Sequence, residues 1–302
     1  MITEVIVLGT SSQFPTKQRN HTSIFLRFDK FTCLFDCGEG TQRQMRILKL
    51  SPHHVNALFI SHWHGDHTLG IGGILQSLSA SKRTRTLEIY GPKGTEDRVN
   101  HIINTYYFKK TFKVIIHEVS PENEELIVDN KDFKITAFPL NHGIPCNGYA
   151  FYANEYRRIN TEYTKKFGLE QHPLLGRLQK GEDIVFKGKK ISVKKATYLK
   201  PETKVCYVID TKYDKSLINY AKNSDLLICE ATYSEEDKEK CGEYNHMSSA
   251  EAANIAKKSN SKKLLLTHIS QRYGSPKKLE EEARKIFKNA VYAKDFDKVI
   301  IK

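Results

Sequence analysis

The chain has 302 residues, 39% hydrophobic and 27% charged, with 48 Lys and Arg against 35 Asp and Glu for a net charge of +13. That length can bury a sizeable core, as two average domains or one large α/β domain. No run approaches the roughly 18 consecutive apolar residues of a membrane-spanning helix, and MITEVIVLGTSSQFP at the start has no basic leader, so no membrane span and no signal peptide are expected. The basic excess points to a polyanionic partner, nucleic acid or an anionic membrane surface, with simple solubility as the alternative. Six scattered cysteines suit a reducing, cytoplasmic setting rather than a disulfide scaffold. Cys33 and Cys37, four apart, read as packed strand thiols in preference to a redox pair.

Short apolar runs bounded by turn residues open the chain: EVIVLG, SIFLRF, FTCLFD and NALFIS, two of them pairing as hairpins. LEIYG, FKVIIHEV, ELIV and FKITAFPL continue the strand-rich first half. Helices are expected at Gly40–Lys49, from Thr68 into the serines after Leu78, and at Lys93–Tyr106. In the second half KVCYVIDT, DLLICEAT and KKLLLTHI read as buried strands, alternating with helices at Lys215–Asn223, Ser248–Ser259 and Pro276–Lys288. Ser248 with Glu251 three residues on has the form of a capping box. The two halves share one grammar, strands first and then strand–helix alternation, which predicts an α/β fold. Between Tyr156 and about Pro201 the grammar breaks into a Lys-, Arg- and Gly-rich stretch. Residues 153–190 are expected to leave the main domain. A solvated loop is the alternative, but PLLGRL and DIVF are apolar enough to pack, which favours an ordered arm.

The segment SHWHGDH, Ser61–His67, follows the apolar run NALFI and precedes a helical pattern. In extended chain His62 and His64 project to one side and can share a metal ion. Asp66 and His67 then turn the other way, toward a second, with Gly65 letting the backbone fold between the pairs. Imidazole and carboxylate donors suit zinc, manganese or iron rather than calcium. His142 after FPLN, Asp210 after VCYVI and His268 after LLLT each end an apolar run. Any one alone reads as a structural histidine or a helix cap. With the cluster they supply three ligands per metal and one bridge.

The pattern resembles the metallo-β-lactamase superfamily, whose H-x-H-x-D-H signature matches His62, His64, Asp66 and His67. The resemblance implies a four-layer αββα sandwich, here a single domain over 1–302 with an inserted, protruding basic arm. It also implies His62, His64 and His142 on one zinc, Asp66, His67 and His268 on another, and Asp210 bridging. Superfamily membership does not name a substrate. Further segments resemble ribonuclease Z of the short form: PTKQRN at Pro15–Asn20, FDCGEGTQRQ at Phe35–Gln44, THISQRY at Thr267–Tyr273, and GLEQHPLLGRLQKGED at Gly168–Asp183, where that family carries its tRNA-binding arm. Glu230 and His246 match the family's proton-relay pair. The chain departs from the family at Cys229, where His is common, at Ile209, where Gly is common, and in the Gln-His-Pro of the arm, where a Gly/Pro-rich turn is commoner.

The resemblance implies a two-zinc endoribonuclease (Mn²⁺ or Fe²⁺ as substitutes) that removes the 3′ trailer of precursor tRNA and leaves a 3′-hydroxyl. Asp66 and Asp210 would serve the attacking water and His246, oriented by Glu230, the leaving oxygen. Lys17, Arg19 and Asn20 would meet the acceptor end, and Arg157, Arg158, Lys165, Lys166, Arg177 and Lys180 would grip the folded tRNA. A homodimer is implied as well. The other histidines, His21, His53, His54, His101, His117 and His172, are read as surface or packing groups. Two rivals remain: a small-molecule phosphodiesterase or ester hydrolase with the same site, and an RNA-binding protein whose metal is structural.

Overall fold

The protein is described by a computed structural model, which covers residues 2–302. It divides into two compact units, one comprising the described residues up to 129 with 135–151 and 204–302, the other of residues 130–134 and 152–203.

The first unit is built on two sheets of seven strands. One comprises β1 (Thr3–Gly9), β2 (Ser23–Phe28), β3 (Phe31–Phe35), β4 (Ala57–Phe59), β5 (Leu87–Gly91) and β6 (Val114–Glu118), closed on its far edge by a strand from the C-terminus. Strands β1 to β3 are antiparallel, and β2 turns into β3 through two residues, with Asp29 at φ 51°. Such a tight turn needs a residue that tolerates the left-handed region, and Asp does so better than most. From β3 to β6 the pairing is parallel. The helices Thr41–Ile47, Ile71–Ala80 and Thr95–Thr105 lie on the outer face, where Met45, Ile74, Leu75, Leu78 and Val99 pack with Leu8, Leu34, Leu58 and Ile89.

The second sheet begins with β7 (Glu125–Asp129), β8 (Phe133–Pro139) and β9 (Asn147–Ala153). The other unit follows, with β10 (Tyr156–Ile159), β11 (Ile184–Phe186), β12 (Lys189–Ile191) and β13 (Thr197–Lys200). The second sheet then resumes with β14 (Thr203–Val208), β15 (Leu226–Glu230), β16 (Leu264–Thr267) and β17 (Ala290–Tyr292), in the order β17-β16-β15-β14-β9-β8-β7. The last strand, β18 (Lys298–Ile301), pairs antiparallel with β1. Strands β14 to β17 are parallel, and every residue of β15 and β16 is buried, as expected of strands covered on both faces. The helices Ser249–Lys258 and Lys277–Ile286 cover this sheet, and the first begins with the expected capping box: Ser248 Oγ accepts from the Glu251 amide and Glu251 accepts from the Ser248 amide.

Aromatic rings join the two sheets. Phe35 of β3 stacks on Tyr207 of β14 at 5.4 Å, Phe59 of β4 meets Tyr149 of β9 at 5.4 Å, and the Tyr149 hydroxyl donates to the Ile60 carbonyl. The layers therefore run helix, sheet, sheet, helix. Cys33 and Cys37 are buried free thiols.

Strands β9, β17 and β18 and the helix Lys238–Tyr244 have no counterpart in the reading of the sequence. Strand β9 carries Gly148, whose Cβ position would lie 2.1 Å from the Phe138 ring. Glycine breaks the strand pattern there because the neighbouring ring occupies the space of a side chain. The helix Lys238–Tyr244 is masked by charge and by Gly242, and the first of its residues pair with the acids Glu235 and Asp237 just before it.

The second unit has its own core, formed by Leu169, Leu178, Ile184, Ile191 and Ala196 with Ile159, Tyr163 and Leu174 packed against them. It is longer than the excursion expected over 153–190. That boundary falls inside the β11–β12 hairpin, whose turn residues Lys187 and Gly188 both have positive φ, and the chain pairs β10 with β13 before it leaves. Weak periodicity hid these short strands. Leu178→Ala should cost this unit about 2–5 kcal/mol, the usual range for a buried leucine. Hydrogen exchange should show amides of 152–203 losing protection while those of β14 to β16 keep theirs.

Candidate metal centre

Seven side chains converge where the strands of the first unit end. His62 and His64 follow β4, Asp66 and His67 sit in the short helix Gly65–Thr68, His142 follows β8, Asp210 follows β14 and His268 follows β16. One group is His62, His64, His142 and Asp210, and a second is Asp66, His67, His268 and Asp210, each with its donor atoms within 4.8 Å of one another. His62 Nε2 lies 3.0 Å from His64 Nδ1, which lies 3.2 Å from His142 Nε2. In the second group His67 Nε2 is 3.3 Å from His268 Nε2, and Asp66 Oδ2 is 3.4 Å and 3.5 Å from them. The edge of a tetrahedral shell with metal–nitrogen bonds near 2.0–2.1 Å is roughly 3.3 Å, so these spacings fit donors gathered about an ion.

Two further observations support that fit. Asp210 Oδ1 is buried without a hydrogen bond, its near neighbour being His268 Nε2 at 3.1 Å, and a carboxylate oxygen so placed is costly unless a cation meets it. The ring nitrogens pointing away from the centre are already engaged: His62 Nδ1 with Ser61 Oγ, His67 Nδ1 with Asp36, His142 Nδ1 with the Asn245 carbonyl and His268 Nδ1 with Thr232 Oγ1. Such partners fix the ring orientation and tautomer of metal-ligating histidines.

Asp36 is the residue that inspection of the sequence did not single out. It is fully buried one residue past β3, at φ 56°. It accepts from the Ser61 amide and hydroxyl, from His67 Nδ1 and from the Tyr207 hydroxyl, all between 2.7 and 2.8 Å. The visible signal was an acid ending the apolar run FTCLFD. The backbone turn expected at Gly65 is an ordinary start of a helix. The close approach is at Gly38 and Gly70 instead, where a Cβ would lie 2.3 Å from the Asp66 carbonyl oxygen and 2.2 Å from that of Gly38.

Charges in the cluster set each other's protonation. Burial, then repulsion from His67, drives His62 well below the ordinary imidazole range, and burial also lowers His64. Burial opposes the charge on His67 too, but Asp210, Asp66 and Asp36 outweigh it and hold that imidazole well above its usual value. Burial likewise opposes the charge on Asp66 and Asp210, and the neighbouring imidazoles hold both far below the carboxylate range.

Beside the cluster, Glu230 at the end of β15 is fully buried and accepts from His246 Nδ1 at 3.1 Å. It also accepts from the Thr211 and Met247 amides and the Thr232 hydroxyl. Burial disfavours a charged His246, but Glu230 and then Asp210 push its pKa up to about 9. A bound cation would act against that charge. His268, His246, Asp66 and Asp210 all line one cleft of about 610 Å³.

The residues assigned to RNA contact are placed less uniformly. Lys17 is exposed. Arg19 is turned inward, its Nη1 donating to Thr10 Oγ1 and the Ala293 carbonyl and its guanidinium lying over Tyr292. Asn20 donates to the Glu39 carbonyl. His21, left among the packing histidines, is 4% exposed yet lines the cleft. In the second unit Arg158, Lys165, Lys166, Arg177 and Lys180 are exposed and Arg157 is half-buried. Arg177 pairs with Glu182 at 2.7 Å and Lys165 lies 3.9 Å from Glu170. Residues 152–203 hold twelve Lys and Arg against six Asp and Glu, so the excess survives those pairs.

The layered fold and the histidine–aspartate centre at its strand ends define a metal-dependent hydrolase of the metallo-β-lactamase fold. Solved structures agree: a metallo-β-lactamase fold protein of Bacillus subtilis, YhfI, superimposes with a TM-score of 0.71 at 21% identity over 99% of both chains. Human tRNase Z, short form, does so with a TM-score of 0.70 at 27% identity, over 99% of this chain and 98% of that one. Residues 3–164 match the family model described as Anti-Pycsar protein Apyc1, a stretch that includes His62 to His142 and stops short of Asp210, Glu230, His246 and His268. The Ribonuclease Z of Methanothermobacter thermautotrophicus is 38% identical over 301 residues, 99% of this chain and 97% of its own. That of Pyrococcus horikoshii is 37% identical over 99% of this chain and 96% of its own. The chain belongs to the ribonuclease Z family, and its first half to the family that the Apyc1 model describes.

Asp36→Asn should weaken metal binding ten- to a hundredfold, the range for residues that orient ligands, with every ligand still in place. A titration against a competing chelator would read this. An unchanged affinity would mean that other contacts orient His67.

Proposed function

We propose that this protein removes the 3′ trailer from precursor tRNA, as a two-metal endoribonuclease that prefers zinc. The observation that carries the reading is the pair of donor groups sharing Asp210 with the Glu230–His246 pair beside them, in a chain that aligns end to end with ribonucleases Z. Five imidazoles and two carboxylates favour zinc, with manganese or iron as substitutes. A closed structural site would use four ligands about one ion. This donor set is larger and opens on a cleft, which speaks against the RNA-binding rival with a structural metal.

Two divalent ions, when bound, polarise the phosphoryl group and bring the pKa of water toward neutrality. The residues of the chain supply the rest. His62, His64 and His142 hold one ion, Asp66, His67 and His268 the other, and Asp210 serves both. Asp66, on the cleft wall, accepts the proton of the attacking water. His246, held through Nδ1 by Glu230, gives a proton to the departing 3′ oxygen, so the tRNA ends in a 3′-hydroxyl and the trailer begins with a 5′-phosphate. Lys17 and the exposed cations of residues 152–203 bind RNA phosphates. The inward bonds of Arg19 and Asn20 give those two the task of shaping their loop. Kinship with the ribonucleases Z supports a homodimer and a cytoplasmic setting. No helix among the described residues is long and apolar enough to cross a membrane.

A sugar alkoxide is a poor leaving group and needs its proton as the bond breaks, whereas p-nitrophenolate does not. His246→Ala should therefore lose roughly 10²–10⁴-fold on precursor tRNA, the usual contribution of a general acid, and much less on bis(p-nitrophenyl) phosphate. Elemental analysis should still return about two metals per chain. Equal losses on both substrates, or a lost metal, would make His246 a ligand or a structural residue.

Tyr156 and Lys200 face each other in the β10–β13 ladder, so residues 157–199 can be replaced by a two-residue turn. This deletion should cripple cleavage of precursor tRNA and spare the small diester. The salt dependence of tRNA binding should become shallower, because fewer counterions are released. Full tRNA activity after the deletion would remove RNA binding from that unit.

A further inference from the structure

Two aromatic side chains beside the general acid have no part in the chemistry above. Tyr244, two residues before His246, is 50% exposed and lines the cleft. Tyr233, 6% exposed, stands behind it, with ring centroids 6.5 Å apart and its own ring 6.1 Å from the His246 imidazole. The Arg272 guanidinium lies 5.1 Å from the centre of the Tyr233 ring. A half-exposed tyrosine on a cleft wall is a surface on which a flat ring can stack.

The backbone holds this surface to the proton relay. The Tyr233 amide donates to the Met247 carbonyl and the Tyr233 carbonyl accepts from the Ser249 amide. Asn245, at φ 55°, turns the chain between Tyr244 and His246, and its carbonyl accepts from the ligand His142. Tyr244 therefore cannot move far without moving His246.

Direction follows from the reaction. The oxygen that takes the proton of His246 is the 3′ oxygen of the nucleotide on the 5′ side of the scissile phosphate. The ribose of that nucleotide must lie against His246, and its base extends from the same ribose. We infer that Tyr244, backed by Tyr233 and Arg272, is a stacking subsite for the base of the last nucleotide retained on the RNA. This rests on the reading of the chain as a precursor-tRNA endonuclease. Stacking accepts every base, because each has a π-face. It suits a nuclease that must place the cut by position rather than by sequence.

The test compares precursor tRNA with the same RNA lacking the base of the last retained nucleotide. Wild-type kcat/KM should fall on the order of ten- to a hundredfold on the abasic RNA, the range for loss of a base–aromatic stack. Tyr244→Leu should lose that factor on the intact RNA and nothing further on the abasic RNA, where its rate should equal that of the wild type. Tyr244→Phe should behave as wild type on both. A merely structural tyrosine would instead slow both RNAs alike. The subsite is overturned if the wild type cuts the two RNAs equally, or if the abasic penalty persists in Tyr244→Leu and disappears in Phe14→Ala, whose ring lines the same cleft. If the wild type cuts neither RNA, the endonuclease reading has failed, and the subsite with it.

Discussion

Asp36 is the group on which the site depends. A carboxylate at 0% exposure is expensive to bury, and this one is compensated by four donors drawn from both sheets. Ser61 brings the strand that leads into His62 and His64. His67 brings the helix that also carries Asp66. Tyr207 brings the strand that ends in Asp210. One side chain thus links the first sheet, which supplies four of the candidate ligands, to the second, which supplies the other three, the shared Asp210 among them. The charge of Asp36 also reaches the centre through His67, holding that ring in the orientation that points Nε2 at the other donors.

The backbone is strained where the ligands are. Asp36, Asp210 and His268 follow buried strands, and all three lie in the left-handed region, at φ 56°, 45° and 63°. Residues held there cost about 1–3 kcal/mol each and persist only where the surroundings over-determine them. The surroundings here are the strands themselves, buried on both faces. Leaving such a strand by a left-handed residue turns the side chain into the space where the two sheets end, instead of continuing the alternation between faces. The stability of the sheets is what permits seven polar groups to crowd against one another, and a cation is what relieves the crowding.

The candidate ligands that the structure brings together were legible in the sequence because metal chemistry demands particular side chains at strand ends. SHWHGDH names four of them within six residues. His142, Asp210 and His268 each end an apolar run, and most strands of the two sheets could be read from the runs themselves, while their layering came from the family resemblance. What orients those ligands was harder to see. Asp36 does its work by hydrogen bonds made across the fold, and an acid after FTCLF looks like any acid in a turn. Strand β9 was hidden by Gly148, whose missing side chain is explained only by the Phe138 ring beside it. The unit of residues 152–203 was hidden for another reason. Its strands are three or four residues long and its core is one small cluster of five buried residues drawn from separate short elements rather than one amphipathic stripe, too little for periodicity to register.

In the loop PTKQRN the structure separates residues that the sequence groups together. Lys17, Arg19 and Asn20 were read alike, as contacts to RNA. Hydrogen bonding separates them. Asp295 accepts from Thr10, from the Asn20 amide and from Gln44, and Arg19 completes the network by donating to Thr10 and to the Ala293 carbonyl. The same loop is tied to the end of β16 by the Ser12 amide, which donates to the Ile269 carbonyl next to His268. Both bonds of the Arg19 guanidinium come from Nη1 and its face lies over Tyr292, which ties that side chain to the loop, whereas the Lys17 ammonium is exposed. The Arg19 side chain inside the network therefore helps to fix the position of the loop against the metal centre, and the Lys17 ammonium outside it stays open to solvent.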